Sequence, residues 1–360
     1  MIITKPTLLL DKQKCKRNIA MMFSKAKNNH VSFRPHFKTH QSLEIGRWFK
    51  ELGVDKITVS SLEMAQYFSS EWNDITVAFP VNILEIETIN QLSETITLHL
   101  LVESVEAIKY LAQNTINKIG IFIKIDVGYG RTGLPPSATQ QIGEILTVIR
   151  ASKALSFEGF LTHAGHTYAC WTKEEIRSIH NKSREILTGL KAKYIDSYPD
   201  LIISIGDTPS CSIVDDFSGI DEIRPGNFVF YDLTQHQIGS CTIDQIAVAM
   251  ACPIVSIHTE RNEMVIYGGG VHFSKERMEV ENQGTIYGLV VEQLEDGWGD
   301  PIPGMYLKSL SQEHGIISVP QSLTSNYEIG DLLYLLPVHS CMTANEMKSY
   351  KSHDEIISRI

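Results

Sequence analysis

The amino-acid sequence predicts an α/β protein made of a (β/α)8 TIM barrel and a mainly-β domain that follows it. Eight apolar, strand-like runs occur between residues 31 and 230, and helical patterns lie between most of them. Alternating strands and helices imply a parallel sheet, and eight such units suit a closed barrel, with a doubly wound sheet as the alternative. Beyond residue 240 the apolar runs are separated by Gly, Pro and Asn turns, with little helix. We place the barrel at residues 11–239 and the β domain at residues 240–360, together with an N-terminal strand at residues 1–10.

Local patterns support the individual elements. Ile45, Phe49 and Leu52 recur at helical spacing and predict a helix that ends at Gly53. Three helix starts are predicted where a capping side chain precedes a glutamate by three residues, at Ser60/Glu63, Asn82/Glu85 and Thr172/Glu175. The eight predicted barrel strands span residues 31–38, 56–60, 75–79, 96–102, 118–127, 155–163, 201–206 and 222–230.

Composition and charge limit the classes of function. Hydrophobic residues make up 43% of the chain and charged residues 21%, which suits a globular protein with a sizeable core. The net charge of -10 argues against nucleic acid or an anionic membrane as the main partner. No apolar run approaches the roughly 18 residues that span a bilayer, and the N-terminus does not resemble a signal peptide. None of the six cysteines forms a C-x-x-C pair. We therefore expect a cytoplasmic protein with free thiols that acts on a small molecule.

Polar and titratable residues cluster where the predicted barrel strands end. The active site of a (β/α)8 barrel lies at the carboxyl ends of its strands, so side chains from five strand ends would converge there. These are His36, Lys38, Thr39 and His40 after the first strand, Asp126 and Arg131 after the fifth, His163, His166 and Tyr168 after the sixth, residues 206–210 after the seventh, and Asn227 and Tyr231 after the eighth.

The segment RPHFKTHQ presents one lysine among other basic residues. Neighbouring positive charge or burial lowers the pKa of a lysine and makes it a usable amine, and Arg34, His36 and His40 stand beside Lys38. The alternative is a solvated basic loop. The two histidines also have the i, i+4 spacing of metal ligands on a helix, but Pro35 makes a helix there unfavourable.

The segment SIGDTPS, residues 204–210, fits a phosphate-binding loop. The loops after strands 7 and 8 are the usual phosphate site of such barrels. Gly206 lets the backbone approach closely, and nearby hydroxyl and N–H groups could bind phosphate. A reactive lysine beside a phosphate site suggests a Schiff base with pyridoxal 5'-phosphate (PLP). The alternative for this segment is a plain turn with a helix N-cap.

The segment DVGYGRTG, residues 126–133, contains the G-x-G-x-x-G pattern of dinucleotide-binding loops. In those loops the third glycine lies in the following helix. Here Pro135 and Pro136 delay the helix to about Ser137, so the context is poor. We interpret Arg131 instead as a fixed cation directed into the barrel mouth.

The segment PVHSCMT, residues 337–343, is a candidate metal site. His339 and Cys341 are two residues apart and would point to one face of a strand. Imidazole and thiolate are preferred zinc ligands, and two local ligands would leave open positions for water or substrate. A buried cysteine with a hydrogen-bonded histidine is the alternative. We assign no role to Glu313, His314 or the glycine run Gly268–Gly270.

Together these segments resemble the D-threonine aldolase and D-serine dehydratase family, which comprises fold-type III PLP enzymes related to alanine racemase. RPHFKTHQ resembles the family's cofactor-lysine segment. KIDVGYGRTG, HAGHTY, SIGDTPS, RPGNFVFYD, SQEHG and PVHSCMT occur in the family's order, so the resemblance covers nearly the whole chain. It implies an alanine-racemase-like barrel, a C-terminal β domain and a homodimer with active sites near the interface.

The resemblance also implies roles for the matching residues. Lys38 would carry the cofactor, and its phosphate would be lined by Gly206, Asp207 and Thr208, with Tyr231 nearby. The cofactor ring would be flanked by Arg131 and His163, and Tyr168 would lie near the pyridine nitrogen. A divalent metal would be bound by His339 and Cys341, and we favour zinc over manganese or magnesium. Two positions depart from the family pattern. Gln41 stands where many relatives have lysine, and Asp207 where a small residue is expected. Two like charges repel, so we expect Asp207 to contribute its backbone N–H rather than its carboxylate to the phosphate site.

The resemblance implies a PLP- and metal-dependent lyase acting on D-3-hydroxy amino acids. We favour D-serine ammonia-lyase, which forms pyruvate and ammonia, with D-threonine aldolase, which forms glycine and acetaldehyde, as the alternative. An amino-acid racemase on the same scaffold would need two bases and no metal, which the PVHSC segment argues against. A PLP-binding protein without turnover would resemble the barrel alone.

Overall fold

The computed structural model describes residues 3–360 and comprises two compact units. The barrel unit contains residues 20–226 and Ile360, and the β unit contains residues 3–19 and 227–359. No helix within residues 3–360 is long and apolar enough to cross a membrane.

A parallel eight-stranded sheet forms the barrel unit, and each of its strands lies within or overlaps one of the predicted runs. With strands numbered along the whole chain, these are β2 (Ser32–Phe33), β3 (Lys56–Val59), β4 (Asp74–Pro80), β5 (Thr97–Val102), β6 (Ile119–Lys124), β7 (Leu155–Leu161), β8 (Ile202–Ile205) and β9 (Glu222–Ile223). Their order in the sheet is β2-β9-β8-β7-β6-β5-β4-β3. A bridge between His36 and Thr58 joins the two ends of the sheet, so the barrel is nearly closed. The predicted (β/α)8 barrel is therefore confirmed.

The barrel strands are apolar along most of their length because a parallel sheet is covered by helices on its outer face. Every residue of β6 is buried. Leu101, Phe122 and Leu161, on three adjacent strands, pack together in the core. Continuous apolar runs, rather than an alternating pattern, are therefore what this sheet requires.

One helix precedes the first barrel strand and the others follow barrel strands, and each buries an apolar face. They are α1 (Lys12–Asn28), α2 (Leu43–Lys50), α3 (Leu62–Ser69), α4 (Ile86–Ser93), α5 (Val105–Asn114), α6 (Thr139–Ala151), α7 (Lys173–Tyr194) and α8 (Thr208–Ile213). The helix α2 ends at Lys50, three residues before the predicted stop at Gly53, whose positive φ of 89° suits glycine. The capping box of Thr172 and Glu175 at the start of α7 is present as predicted.

The other two predicted helix starts differ in detail. Ser61, and not Ser60, caps α3, and its hydroxyl accepts a hydrogen bond from the N–H of Met64 at 3.1 Å. The first helical residue is Leu62, so the capping position lies one residue later than the sequence pattern implied. Asn82 caps a 3-10 turn, Ile83–Glu85, that precedes α4.

Buried charges pair with each other across the strands of the barrel. Arg34 Nε donates to Glu222 Oε2 at 2.7 Å, and the side chains of these two residues are 3% and 1% exposed. Arg34 also donates to Asp74. Burial alone would lower the pKa of Arg34, but the two carboxylates outweigh it and raise the pKa. The charge of Arg34 is thus compensated inside the sheet, and its predicted effect on Lys38 stays a prediction.

The β unit is mainly antiparallel sheet, as predicted for the C-terminal domain. Its strands are β1 (Thr7–Leu10), β10 (Val248–His258), β11 (Glu263–Tyr267), β12 (Met278–Val280), β13 (Gly284–Ile286), β14 (Gly288–Leu294), β15 (Gly297–Leu310), β16 (His314–Ser318), β17 (Leu332–Pro337), β18 (Ser349–Ser352) and β19 (Glu355–Ser358). β10 pairs with both β11 and β17, so six strands form a closed ring with β14, β15 and β16. β1 pairs antiparallel with β10 and extends this sheet towards β18 and β19. Three short helices are added, α9 (Leu233–Gln237), α10 (Gly270–Phe273) and α11 (Ser340–Glu346).

Replacing Arg34 with methionine tests the importance of the buried pair. The change leaves Glu222 as a buried carboxylate without its cation, and we expect the free energy of unfolding to fall by about 3–5 kcal/mol in urea denaturation. Arg47→Met is the matched control, because Arg47 pairs with Glu71 at the surface and is 58% exposed. We expect a much smaller loss for the control. Equal losses for the two variants would contradict the interpretation.

Candidate active site

Lys38 lies in the turn that follows the first barrel strand, just after the bridge between His36 and Thr58. Its side chain is exposed, and its backbone N–H donates to His36 Nδ1 at 3.3 Å. The pKa of His36 lies well below its usual range because of burial, followed by the positive charges of Lys38 and Arg224. His36 is therefore a neutral imidazole next to Lys38.

His40 lies two residues after Lys38, and its side chain is buried. Its ring is completely buried and lies with its centroid 4.4 Å from that of Phe37 and 5.8 Å from that of Phe49. His40 Nδ1 accepts a hydrogen bond from the N–H of Ser42 at 3.1 Å. The ring therefore packs in an aromatic cluster with Phe37 and Phe49.

His163 follows β7 and hydrogen-bonds to the carbonyl oxygen of Gly206 through Nδ1. A carbonyl only accepts, so Nδ1 carries the proton and Nε2 has a lone pair. Burial, and next to it the charge of Lys38, lower the pKa of His163 to about 3. His163 is therefore neutral at physiological pH, and the cations around it disfavour its protonation.

The loop after β8 is a turn with a helix N-cap and also has backbone groups that suit a phosphate-binding loop. Asp207 caps α8, and its Oδ1 accepts from the N–H of Ser210 at 2.8 Å and from the hydroxyl of Thr167 at 2.9 Å. Its carboxylate is thus engaged within the loop, in agreement with the expectation that only its backbone could serve a phosphate. The N–H of Thr208 lies 3.4 Å from Tyr168 Oη, which brings two of the predicted cofactor residues together.

Gly206 occupies a position with no room for a side chain. A Cβ atom there would lie 2.9 Å from the Cβ and carbonyl oxygen of Arg224. The bare backbone is therefore required by packing against Arg224.

A carboxylate accepts hydrogen bonds from the backbone of the loop that carries Arg131. Asp126 Oδ1 accepts hydrogen bonds from the N–H groups of Gly128, Tyr129 and Gly130 at 2.9–3.1 Å. The next helix starts only at Thr139, so the glycine pattern is not part of a strand-turn-helix dinucleotide motif. The guanidinium of Arg131 is exposed and lies 5.0 Å from the centre of the Tyr129 ring.

Sequence reasoning missed two buried cations, Lys124 and Arg224. Lys124 ends β6 and donates to Thr132, and burial, followed by the charge of Arg131, lowers its pKa to about 8. Arg224 donates to Ser204 Oγ at 2.7 Å, and burial lowers its pKa to about 10. The signal in the sequence is a basic residue inside the predicted strands 118–127 and 222–230.

These cations give the barrel mouth the chemistry that a phosphorylated cofactor needs. Besides burial, positive charge in the barrel mouth lowers the pKa values of His36, Lys124 and His163. The cations that exert these effects are Lys38, Arg131 and Arg224. An anion such as the phosphate of PLP is stabilised by such an excess of positive charge.

The predicted metal ligands lie in the β unit, at a helix start rather than on a strand. β17 ends at Pro337, His339 caps α11, and Cys341 lies in the first turn of that helix. The prediction that both project from one face of a strand is therefore wrong, but their side chains hydrogen-bond to each other. Burial lowers the pKa of His339, and Cys341 and Asp232 outweigh it, so that the pKa is raised to about 9.

This arrangement fits a divalent metal. Within residues 3–360, no three His, Cys, Asp or Glu side chains form a ready cage, so a metal on this pair would keep positions for water or substrate. Asn227 Oδ1 is buried and accepts no hydrogen bond from the residues described, so it is able to accept one from metal-bound water. Tyr231, predicted near the phosphate, also belongs to the β unit, where it is buried with a positive φ of 51°.

The glycine run and the segment around Glu313 have a structural explanation. The N–H of Gly268 donates to the carbonyl of Glu313 at 2.9 Å, and the N–H of Gly270 to that of Ser311 at 2.7 Å. A Cβ on Gly269 would collide with the backbone of Gln312. The glycines allow these two backbone segments to approach closely.

Two family models match the chain. The model of the alanine racemase N-terminal domain matches residues 10–233, and the model described as "Putative serine dehydratase domain" matches residues 247–352. The D-serine dehydratase of Dictyostelium discoideum is 30% identical, with 96% of this chain and 92% of that protein covered. The D-threo-3-hydroxyaspartate dehydratase of Delftia sp. (strain HT23) is 26% identical, with 96% and 93% covered.

The structure of the Delftia sp. HT23 enzyme is similar, with a TM-score of 0.91, 26% identity, and 99% of this chain and 98% of that chain covered. Structures of two variants of D-threo-3-hydroxyaspartate dehydratase also match at a TM-score of 0.91 and 25% identity, over 99% of this chain and 98% and 95% of theirs. One has a cysteine replaced by alanine and is in the metal-free form, and the other has a histidine two positions earlier replaced by alanine.

Fold and site together define a PLP-dependent lyase. The chain belongs to the alanine-racemase-like, fold-type III family that includes D-serine dehydratases and D-threonine aldolases.

Replacing Gly206 with alanine tests the fit of the cofactor loop. The added methyl group meets Arg224, and overpacking of about 1–3 kcal/mol would weaken PLP binding roughly tenfold. Absorbance titration of cofactor-free protein with PLP measures this affinity. Gly189→Ala in α7 is the matched control, because its methyl group meets nothing within 4 Å. Unchanged PLP affinity in the Gly206 variant would contradict the proposed loop.

The lowered pKa of His163 predicts how stability depends on pH. Its pKa is about 3 in the folded protein and about 6.5 in an unfolded chain. Between these values only the unfolded chain binds the proton, so lowering the pH reduces the free energy of unfolding. His163→Asn keeps a donor for Gly206 and removes the titration, so its stability should fall less steeply from pH 7 to pH 4 in urea denaturation. Parallel curves for the two proteins would be the contrary result.

Proposed function

We propose that this protein is a D-serine ammonia-lyase, which converts D-serine to pyruvate and ammonia with PLP and a divalent metal. One observation carries the proposal. The chain combines the PLP-type barrel with a paired histidine and cysteine, and it is 30% identical to a D-serine dehydratase over 96% of its length. We also propose that it acts as a cytoplasmic homodimer, and the absence of disulfides among its six cysteines supports a reducing compartment.

The barrel residues would bind and orient the cofactor. Lys38 is proposed to hold PLP covalently, since its amine is exposed in the turn at the barrel end and its neighbour His36 is neutral. The loop at Gly206, Asp207 and Thr208 would hold the phosphate through backbone N–H groups, with the carboxylate of Asp207 fixing the loop rather than touching the anion.

The remaining predicted residues would position the ring and the substrate. Arg131 and His163 are proposed to flank the ring, Tyr168 to lie near its nitrogen, and Tyr231 to serve the phosphate. The neutral state of His163 supports its role, because a hydrogen-bonding imidazole without charge does not repel the cations around it.

His339 and Cys341 are proposed to bind the metal. The two variants of D-threo-3-hydroxyaspartate dehydratase support this, because they alter a cysteine and a histidine with the same two-residue spacing. Thiolate and imidazole favour zinc, whereas manganese and magnesium prefer oxygen ligands. When bound, PLP would withdraw electrons from the bonds at the substrate's α-carbon, and the metal would act as a Lewis acid on its β-hydroxyl.

D-Threonine aldolase activity is the second candidate. It uses the same two cofactors on a substrate that also has a β-hydroxyl, and the D-threonine aldolase of Arthrobacter sp is 21% identical over 94% of this chain. The higher identity to the D-serine dehydratase favours the first candidate.

A substrate panel tests the proposed function. Purified protein should show the visible absorption band of lysine-bound PLP and should form pyruvate from D-serine but not from L-serine. EDTA should abolish pyruvate formation, because the metal activates the leaving hydroxyl group. Acetaldehyde from D-threonine without pyruvate from D-serine would instead establish the aldolase.

Lys38→Ala provides the control for the cofactor assignment. The variant should lose the visible band, whereas Lys27→Ala, in the last turn of α1, should keep it. Retention of the band in the Lys38 variant would overturn the assignment of the cofactor lysine.

A further inference from the structure

We propose that Asp232 and Asn227 are positioning residues for the metal centre. They would hold the segment that joins His339 to Cys341 and orient both ligands. The inference rests on the proposed function, because it takes His339 and Cys341 as the metal ligands.

Asp232 anchors the residue that lies between the two ligands. Its carboxylate is completely buried, and Oδ2 accepts from the backbone N–H of Ser340 at 3.0 Å and from its hydroxyl at 3.3 Å. Oδ1 accepts from the N–H of Gln235 at 2.9 Å and so caps α9. One carboxylate therefore links the start of α9 to the start of α11 and fixes the backbone between the ligands.

Asn227 reaches one of the ligands directly. Its Nδ2 lies 2.7 Å from Asp232 Oδ2, 3.0 Å from Ser340 Oγ and 3.4 Å from Cys341 Sγ. The side chain is buried, and the backbone carbonyl of Asn227 accepts from the N–H of Tyr231 at 2.8 Å. A rigidly held amide donor at the sulfur restricts its orientation, which favours a fixed direction for metal binding.

The charges of the group are also arranged for a cation. Asp232 Oδ2 lies 3.8 Å from His339 Nδ1, and its three hydrogen-bond donors, Ser340, Asn227 and Gln235, are all neutral. A buried carboxylate is costly unless it is compensated by positive charge. A divalent cation held by His339 and Cys341 would lie close to this carboxylate, with the thiolate and the carboxylate balancing its charge.

A purely structural network would have a different consequence. Removing a cap or a buried hydrogen bond lowers stability, but it leaves the metal affinity of the molecules that remain folded unchanged. Residues that orient metal ligands change the affinity itself, typically by 10- to 100-fold. Metal affinity therefore separates the two roles without reference to activity.

The experiment measures metal binding to the full-length protein. Metal is removed from wild type, Asp232→Asn, Asn227→Ala, His339→Ala and Cys341→Ala, and Zn²⁺ and Co²⁺ affinities are measured by competition with a chromophoric chelator. The absorption band of cobalt bound to thiolate reports ligation by cysteine, and thermal unfolding monitors the fold. Asn18→Ala is the matched control, because Asn18 is a buried asparagine of the same unit that donates to the backbone of Val229 and Gln245.

We expect Asp232→Asn and Asn227→Ala to bind both metals about 10- to 100-fold more weakly while folded, with a shifted or weaker cobalt band. Asn18→Ala should lose stability but bind both metals like wild type. If Asp232→Asn does not fold, Asn227→Ala alone decides. Wild-type affinity in these variants, with binding lost in His339→Ala and Cys341→Ala, would overturn the positioning role. Normal binding in the His339 and Cys341 variants as well would overturn the metal site itself.

Discussion

The ion pair between Arg34 and Glu222 is the interaction on which the interior of the barrel depends. Two opposite charges in a dry interior are tolerated only when each finds its partner and further hydrogen bonds. Glu222 Oε1 accepts from Ser204 Oγ at 2.6 Å, and Ser204 Oγ accepts in turn from Arg224 Nε. The chain of contacts thus runs from the first strand through the last two and ends at Arg224, whose backbone and Cβ form the wall beside Gly206.

That chain explains the electrostatics of the barrel mouth. Arg224 is held as a buried cation. Together with Lys38 and Arg131 it disfavours protonation of His163, and together with Lys38 it disfavours protonation of His36. The imidazoles therefore serve as neutral hydrogen-bonding groups, and the positive charge resides on lysine and arginine. This distribution of charge in the barrel mouth favours an anionic ligand. It also keeps the histidines neutral, so that they can donate and accept hydrogen bonds near neutral pH.

The β unit applies the same principle to its own buried charge. Asp232 is compensated by hydrogen bonds from several neutral donors and stands close to His339. The carboxylate organises the start of α11, so the two proposed metal ligands meet even though they do not lie on a strand. In both units a buried carboxylate holds together segments far apart in the chain, and the functional candidates are attached to those segments.

Much of the fold and several site residues could be predicted from the sequence. Eight apolar runs and the helices between them define the barrel, because burial on both faces of a parallel sheet demands continuous apolar strands. Lys38, His163, Gly206 and the pair His339 and Cys341 stood out because titratable residues or glycines end otherwise apolar runs. The family resemblance then assigned them roles.

Other features depended on tertiary structure. Arg34 is close to Lys38 in the sequence, but it pairs with Glu222, which lies 188 positions away along the chain. His40 has a spacing that suggests a partnership with His36, yet it packs against Phe37 and Phe49. Lys124 and Arg224 were overlooked because a charge inside a strand acquires meaning only when its partners are known. The sequence by itself determined which segments are strands, helices and strand ends, since those follow from local periodicity. Only the tertiary structure decided which charges are compensated and which remain available, because that depends on residues brought together from distant parts of the chain.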